Sequence, residues 1–279
     1  MAAAQTTSQR SLRTSSRTLH GRDQPDRDGA QSIRRAMAVL RILATARSAG
    51  QGVTEIARQA GLTQPTTHRI LRVLMGEGIV EQHPRTRRYA LGSEIPLMAL
   101  ARPAASPLLS TALPELAAVV DSFGDTGFIT VRSGLDTVCL ARRVGRYPIQ
   151  VLALDVGDRR PLGVSSAGFA MLARLSPGES RSILAQNAGR LSPYGISPEE
   201  AAAAVAQVRS RGFALRERGL VPGTRAVSVT FEVAQRDGTR TLAALTIAAI
   251  ARRLASQRIT EIAAQLSAAA ARLSEATSR

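Results

Sequence analysis

Lysine is absent from this sequence of 279 residues, so all 37 of its basic residues are arginine. Acidic residues number only 21, which leaves a formal net charge of +16. The absence of lysine is typical of a GC-rich genome, and we give that explanation most of the weight. A surplus of positive charge this large nevertheless favours a polyanionic partner.

Aromatic residues are scarce at 3%, and tryptophan is absent. This scarcity argues against a surface on which single-stranded bases stack. The one cysteine, Cys139, excludes an intrachain disulfide framework. The three histidines, His20, His68 and His83, show no metal-ligand spacing. We therefore predict neither a metal nor a cofactor.

Long apolar runs are also missing. A membrane span needs roughly 18 apolar residues, and the longest candidate, 242–251, is followed by Arg252 and Arg253. We expect a soluble protein of a reducing compartment with no membrane partner. The 44% apolar composition is enough for a sizeable core, and the length favours two domains.

Residues 1–29 are rich in Ser, Thr and Arg and contain almost no large apolar residue. Such a segment buries too little surface to fold alone, so we predict a disordered tail. A transit peptide is the alternative. Asp23, Asp26 and Asp28 argue against it, because transit peptides are poor in acidic residues.

From residue 30 the pattern becomes helical, and residues 30–92 are predicted to form a winged helix-turn-helix domain. A first helix begins near residue 31, and shorter helices are predicted over 53–60 and 64–77. Gly61 between them suits a left-handed turn, and Ala57 is the small residue that a close helix crossing requires. Two short strands, 79–82 and 88–91, flank a charged turn.

The third helix and the charged turn supply the predicted DNA contacts. Gln reads adenine and Arg reads guanine in the major groove, while an arginine-rich wing suits the phosphate backbone. Residues 31–92 contain ten arginines against three glutamates, a net charge of +7. The predicted contacts are Thr63, Gln64, Thr66, Thr67, His68, Arg69, Arg72, Arg85, Arg87 and Arg88.

Three alternatives to sequence-specific DNA binding stay open. The helices could form an ordinary bundle with a solvated charged face, or the same module could bind RNA. A nonspecific architectural DNA binder would need phosphate contacts alone, and the polar third helix argues against it.

The remainder of the chain is predicted to consist of a linker helix over 93–106 and a second domain over 107–277. Hairpin signals between helices predict an α+β fold with a mainly antiparallel sheet. Helices are predicted over 108–123, 166–174, 179–186, 198–211 and 256–277. Strands are predicted over 126–131, 137–143, 149–154, 226–233 and 241–249.

The segment 53–74, extended by 77–80 and 88–92, resembles the DNA-binding domain of IclR-type bacterial transcriptional regulators. The resemblance covers about residues 30–275. It implies a GAF-like effector domain that binds a small molecule, often a carboxylate, and location in the bacterial cytoplasm, on the nucleoid when DNA is bound. Because one recognition helix reads few base pairs, we predict a homodimer or dimer of dimers on a palindromic operator.

Two stretches of the second domain, 155–162 and 165–170, resemble the strand and turn that lead into the family's pocket and the small-residue start of the helix beneath it. A helix N-terminus with free amides suits a carboxylate. A vestigial pocket, in a domain that only oligomerises, is the alternative. The effector-binding residues that the resemblance implies are Ser165, Ser166, Ala167, Gly168, Arg216, Ala226, Ser228, Thr246 and Ala248.

Several positions depart from the family's pattern. Thr67 stands where a core Val is usual, so its hydroxyl needs a backbone carbonyl as partner. Arg216 replaces a common acidic residue, Ala226 a common Cys and Phe169 a common Lys. Arg216 either favours a more anionic ligand or is solvated, and the sequence leaves both interpretations open.

An enzyme is the competing class of function. Cys139 lies in an apolar strand-like run with no histidine after His83, so an inert buried thiol is expected. The sequence has no nucleophile elbow, Walker A loop or dinucleotide-binding glycine motif. We therefore predict that the chain is not an enzyme.

Overall fold

The computed structural model describes residues 29–46, 50–100, 107–217, 220–234 and 239–276. The predicted disordered tail therefore lies outside the described residues, apart from Gly29, which begins the first helix. Within the described ranges, no helix is both long enough and apolar enough to cross a membrane.

The first domain is a three-helix bundle followed by a two-stranded hairpin. It consists of α1 (Gly29–Ala44), α2 (Val53–Ala60), α3 (Gln64–Gly76), β1 (Val80–Gln82) and β2 (Tyr89–Leu91). Antiparallel pairing joins the two strands. This is the predicted winged helix-turn-helix. Its core contains Val39, Leu43, Ile56, Leu71, Val80 and Tyr89.

The turn between α2 and α3 follows from three residues. Gly61 adopts a left-handed conformation with φ 63°, and its N–H donates to the carbonyls that end α2. Thr63 then begins α3 as its N-cap, because its hydroxyl accepts a hydrogen bond from the backbone N–H of Thr66. Pro65 falls in the first turn, where a missing N–H is harmless.

Helix α4 (Glu94–Leu100) follows the hairpin. The linker helix was predicted over 93–106, and residues 101–106 lie outside the described part of the chain. The second domain then contains α5 (Pro107–Phe123), α6 (Ser166–Arg174), α7 (Pro177–Leu191), α8 (Pro198–Arg211) and α9 (Ser256–Ala276).

Six antiparallel strands form the sheet of the second domain, in the order β5-β4-β3-β8-β7-β6. Helices α5 and α9 pack on one face of the sheet, α6 packs on the other, and α7 and α8 lie against α6. The α+β prediction is confirmed. The strands are β3 (Thr126–Ser133), β4 (Asp136–Arg143), β5 (Arg159–Pro161), β6 (Ala214–Arg216), β7 (Thr224–Ala234) and β8 (Arg240–Ile250).

The two-residue period of the strands separates two kinds of side chain. Odd-numbered residues of β3, β7 and β8, such as Ile129, Val227 and Leu245, pack against α5 and α9 in the largest core cluster. Even-numbered residues face α6, and several of them are hydroxyl-bearing or small, including Thr130 and Ser228. One face of the sheet is therefore sealed by large apolar residues, while the other leaves room for a cavity.

The structure corrects one predicted strand. Residues 149–154 have no regular secondary structure, although they are rich in apolar residues. Val151 and Leu154 are buried over the α6 side of the sheet, whereas Ile149 and Leu152 are exposed. The apolar side chains thus cover a cavity instead of pairing, and the short strand β5 occupies the edge beside β4. Strand β5 falls within 155–162, where the family resemblance implies a strand, whereas β6 was not predicted.

Candidate nucleic-acid interface and ligand cavity

Helix α3 presents a polar face to solvent. Thr63, Gln64, His68, Arg69 and Arg72 are exposed, and Thr66 is partly so. The Gln64 side-chain amide donates to the hydroxyl of Thr54 on α2 at 3.1 Å, which orients it at the helix start. The exposed face therefore carries the side-chain types that read base edges in the major groove.

Thr67 does not belong to this face. Its side chain is fully buried, and its hydroxyl donates to the backbone carbonyl of Thr63 at 3.0 Å. The burial corrects the prediction that Thr67 contacts DNA. The bond supplies the backbone partner that the hydroxyl was expected to need, one helical turn before it.

The charged turn between β1 and β2 is the predicted wing. Arg85, Arg87 and Arg88 are all exposed. The backbone closes the turn through bonds between His83 and Arg88 and between Arg87 and His83, at 2.8 and 2.9 Å. The Arg88 Nε donates to the carbonyl of Gly50 at 3.0 Å, so this side chain also holds the wing to the loop before α2.

Positive charge on this surface is largely uncompensated. Of the described side chains, none forms an ion pair with Arg69, Arg72, Arg85 or Arg87. Partly exposed Glu55 on α2 is instead paired with Arg58, which together with Gln59 lowers the pKa of its carboxyl to about 2. The four arginines without an ion-pair partner, Arg69, Arg72, Arg85 and Arg87, form a surface suited to a polyanion.

A cavity lies in the second domain between the even-numbered face of the sheet, the start of α6 and residues 151–154. About 470 Å³ of space lies between its atoms, a volume that includes open solvent at its mouth. Seven of the nine predicted effector-binding residues line it: Ser165, Ser166, Ala167, Arg216, Ala226, Thr246 and Ala248.

Two predicted effector-binding residues do not line the cavity. Gly168 packs its Cα against the backbone of Gly163, and its N–H donates to the Ser165 hydroxyl, so this amide is not free for a ligand. Ser228 is fully buried behind the lining, where its hydroxyl joins those of Ser166 and Thr246 at 2.7 Å each. Ser228 therefore fixes the side chains of two lining residues, Ser166 and Thr246, through hydrogen bonds.

Arg216 reaches the lining from β6. One of its guanidinium nitrogens donates to the backbone carbonyl of Val164, immediately before α6, and the guanidinium lies 5.8 Å from the centre of the Phe169 ring. Its Nε is buried without a hydrogen-bond partner. Burial lowers the pKa of this arginine, which nevertheless stays a cation at neutral pH.

Eight lining residues were not predicted. They come from strands whose register the sequence does not reveal and from the irregular segment over the cavity. Arg225 is the second cation among them, with its charge opposed by Glu217 at 3.1 Å and with Nη1 donating to the Leu254 carbonyl. The eight are Phe128, Thr130, Val151, Ala153, Leu154, Leu220, Thr224 and Arg225.

Cys139 lies on β4 and is 1% exposed. Burial raises the pKa of its thiol to about 11, with a smaller contribution from Asp158. A thiol of that pKa is protonated at neutral pH and is a poor nucleophile. Within the described part of the chain, no group of three metal-ligating side chains comes together either.

The winged helix with its unpaired arginines defines a DNA-binding transcriptional regulator. The sequence profile of the IclR helix-turn-helix domain matches residues 32–84, and that of the C-terminal domain of IclR bacterial transcriptional regulators matches residues 104–275. The chain belongs to the IclR family.

Individual relatives agree with this assignment. The acetate operon repressor of Salmonella typhimurium is 26% identical over 243 residues, covering 86% of this chain and 87% of that protein. An IclR transcriptional regulator from Alicyclobacillus acidocaldarius has the same fold, with a TM-score of 0.69, 26% identity, and coverage of 89% and 99% of the two chains. These relatives are regulators, which confirms the prediction that the chain is not an enzyme.

A third structure carries a small molecule. It is an IclR homologue from Microbacterium hydrocarbonoxydans in complex with 4-hydroxybenzoate. Its TM-score is 0.64 at 22% identity, and the match covers 88% of this chain and 99% of that one. At this identity the likeness shows a shared fold.

Proposed function

We propose that this regulator binds a specific operator through α3 and the wing, and that a small carboxylate in the cavity of the second domain changes its affinity for that operator. The observation that carries the proposal is the pairing, in one chain, of an exposed surface of unpaired arginines with an apolar cavity containing one uncompensated arginine.

On the DNA side, Gln64, Arg69 and Arg72 are the proposed groove-reading residues of α3. Arg85 and Arg87 are the proposed phosphate contacts of the wing, because both are exposed and neither has an ion-pair partner among the described residues. Thr67 is left out of this set because it is buried.

A two-fold assembly on a palindromic operator accounts for the exposed apolar side chains of the first domain. Ile33 and Met37 on α1 are 67% and 43% exposed, and Leu97 and Met98 on α4 are 54% and 58% exposed. Exposed apolar residues of this size favour burial against a second copy of the domain. We therefore expect light scattering to give a dimer or a dimer of dimers. We expect the assembly to be located in the bacterial cytoplasm.

The proposed carboxylate site is the start of α6. The amides of Ser166 and Ala167 precede the first intrahelical hydrogen bond, and both residues line the cavity. Arg216 adds a full positive charge at the same end through its contact with Val164. That the homologue with 4-hydroxybenzoate holds an aromatic carboxylate supports this choice of ligand class.

The DNA-binding proposal is tested by selecting duplexes from a random pool with the full chain. The expected result is a palindromic consensus, and Gln64→Ala should lose the preference at one position of each half-site while keeping the others. The control is Arg174→Ala, which changes an exposed arginine at the end of α6 in the second domain. Failure to enrich any sequence would instead identify a nonspecific binder.

The effector proposal is tested on the same DNA. Carboxylates that raise the melting temperature of the full chain should also change its operator affinity. A panel that leaves the melting temperature unchanged would favour a second domain that only oligomerises.

A further inference from the structure

The polar side chains at the start of α3 form their hydrogen bonds in two different ways. The hydroxyl of Thr63 donates to the hydroxyl of Thr66 at 2.9 Å, and Thr67 donates to the Thr63 carbonyl. Both bonds stay within the helix. Gln64 differs, because its Nε2 donates at 3.1 Å to the hydroxyl of Thr54 on α2. This bond therefore joins a proposed groove-reading residue to the neighbouring helix.

The backbone holds Thr54 and Gln64 at a fixed separation. Ile56 of α2 and Leu71 of α3 are both fully buried in the core of the domain. Backbone hydrogen bonds close the turn between the two helices at Gly61. A β-branched side chain such as that of Thr54 also has few rotamers. The hydroxyl of Thr54 is therefore a well-placed acceptor for the Gln64 amide.

A stronger acceptor lies next to Thr54 along α2 but is already engaged. The carboxylate of Glu55 accepts from Arg58 at 2.6 Å and from Gln59 at 2.5 Å. These bonds hold the carboxylate along the surface of its own helix. Among the described residues, the hydroxyl of Thr54 is thus the one acceptor that the Gln64 amide uses.

The bond to Thr54 changes what the Gln64 amide can offer a base. A Gln amide has two N–H donors and one acceptor oxygen. With one N–H bonded to Thr54, one donor and the acceptor remain. Adenine presents the complementary pair at its major-groove edge, the acceptor N7 and the N6 amino donor. Guanine presents two acceptors, N7 and O6, so the Oε1 of Gln64 would face O6 with no hydrogen between them.

The bond also affects the entropy cost of binding. Gln64 and Thr54 are both exposed. An exposed Gln side chain loses rotamer freedom when it is fixed against a base. A side chain that is already held in the free protein loses less, so its contact contributes more to the affinity for the matching base.

We propose that Thr54 is a positioning residue for base recognition. Its hydroxyl holds one N–H of Gln64, so that Gln64 reads adenine and rejects guanine. Thr54 acts through Gln64 and contacts no base itself. This inference rests on the proposed function of α3 as the helix that reads the operator.

Fluorescence anisotropy with two duplexes tests the inference. The first duplex is the consensus that the full wild-type chain selects. The second has guanine in place of adenine, in both half-sites, at the position whose preference Gln64→Ala removes. We expect the wild-type chain to bind the adenine duplex at least about tenfold more tightly, since a mismatched base pair costs about that factor. A consensus with another base at this position would contradict the inference.

Three variants assign the preference for adenine to the bond between Thr54 and Gln64. Thr54→Val keeps the shape of the side chain but removes the hydroxyl. It should lower the affinity ratio of the two duplexes by about fivefold, which is roughly what one hydrogen bond is worth. Thr54→Ser keeps the hydroxyl and should restore most of the ratio. Adding Thr54→Val to Gln64→Ala should not change the ratio further, because Thr54 acts only through Gln64.

Thr45→Val is the matched control in the same domain. The hydroxyl of Thr45 donates to the Ile42 carbonyl at 2.8 Å, so it is bonded within the end of α1. This variant should leave the affinity ratio unchanged. Because Thr54 is exposed, Thr54→Val should keep the wild-type melting temperature, which shows that the domain is folded.

The outcomes separate the inference from the proposed function. If Gln64→Ala leaves every base preference unchanged, operator reading by Gln64 is itself wrong, and the inference falls with it. If Gln64→Ala removes a preference for adenine but Thr54→Val keeps the wild-type ratio, only the positioning role of Thr54 is wrong. The positioning role is also wrong if Thr54→Val lowers the ratio equally in the Gln64→Ala background, or if Thr54→Ser fails to restore it.

Discussion

The α3-and-wing surface and the cavity of the second domain both present arginines without counter-ions, but in different surroundings. Arg69, Arg72, Arg85 and Arg87 are exposed, so water and salt solvate their charges at little cost. Arg216 is half-buried against the Val164 carbonyl and the Phe169 ring, where an unpaired charge is costly. The first arrangement suits any polyanion, whereas the second suits one anion of fitting shape.

This difference predicts opposite responses to salt. Binding of DNA to exposed arginines releases counter-ions from the DNA and weakens steeply as the salt concentration rises. A carboxylate bound at Arg216 is shielded from solvent, so its affinity should change far less. The two regions of one chain can therefore be told apart by salt dependence alone.

The largest expected effect is on stability, and it comes from a third arginine environment, the ion pairs that Asp125 forms. Asp125 is 1% exposed and accepts from Arg253 at 2.7 Å and Arg258 at 3.0 Å, joining β3 to the start of α9. Asp125→Asn should lower the free energy of unfolding by about 3 kcal/mol, since it leaves two partly buried cations without their carboxylate. Denaturant unfolding measures this.

Asp121→Asn is the matched control, because the exposed pair of Asp121 with Arg143 is worth less than about 1 kcal/mol. Equal losses for the two variants would show that burial does not decide the energetics of these arginine pairs. The contrast between Arg216 and the exposed arginines would then lose its basis.

The wing should show the next largest effect. Arg85→Gln combined with Arg87→Gln should weaken operator binding about tenfold or more, and the slope of log affinity against log salt should fall by roughly 1.8. Each lost phosphate contact contributes about half of that change. Fluorescence anisotropy over a series of salt concentrations measures both quantities. An unchanged slope would mean that the wing does not lie on the DNA backbone.

Thr67→Val is expected to have the smallest effect. The side chain is buried and its hydroxyl bonds within the helix, an arrangement that slightly destabilises helices. The free energy of unfolding should therefore rise, by no more than the roughly 1 kcal/mol that one hydrogen bond contributes, with operator affinity unchanged. A marked loss of operator affinity in a variant of full stability would restore Thr67 to the DNA-contacting set.

The recognition helix could be predicted from sequence because its determinants are local. Gly61, Thr63 and Pro65 define the turn and the start of α3 within five residues, and the contacts follow from the helical period. Thr67 shows the limit of that reasoning. Its polar side chain put it among the predicted DNA contacts although the family resemblance places a core Val at this position, and the structure buries it.

The cavity could be predicted only in part. The start of α6 is a continuous segment, and Ser165, Ser166 and Ala167 were recognised there. Thr130 was missed as a lining residue because its place in the cavity depends on the pairing of β3 with β8, which joins residues more than a hundred positions apart. The register decides which face each side chain takes, and apolar patterning alone misassigned residues 149–154 as a strand.

The central claim is that occupancy of the cavity changes the affinity of the α3-and-wing surface for DNA. The most direct measurement is operator affinity by fluorescence anisotropy at constant salt, with and without a carboxylate shown by calorimetry to bind the full chain. We predict a change of at least about fivefold in the wild-type chain, the lower end of typical allosteric coupling, and none at the same ligand concentration in Arg216→Gln. Equal operator affinity with and without the bound carboxylate would contradict the claim.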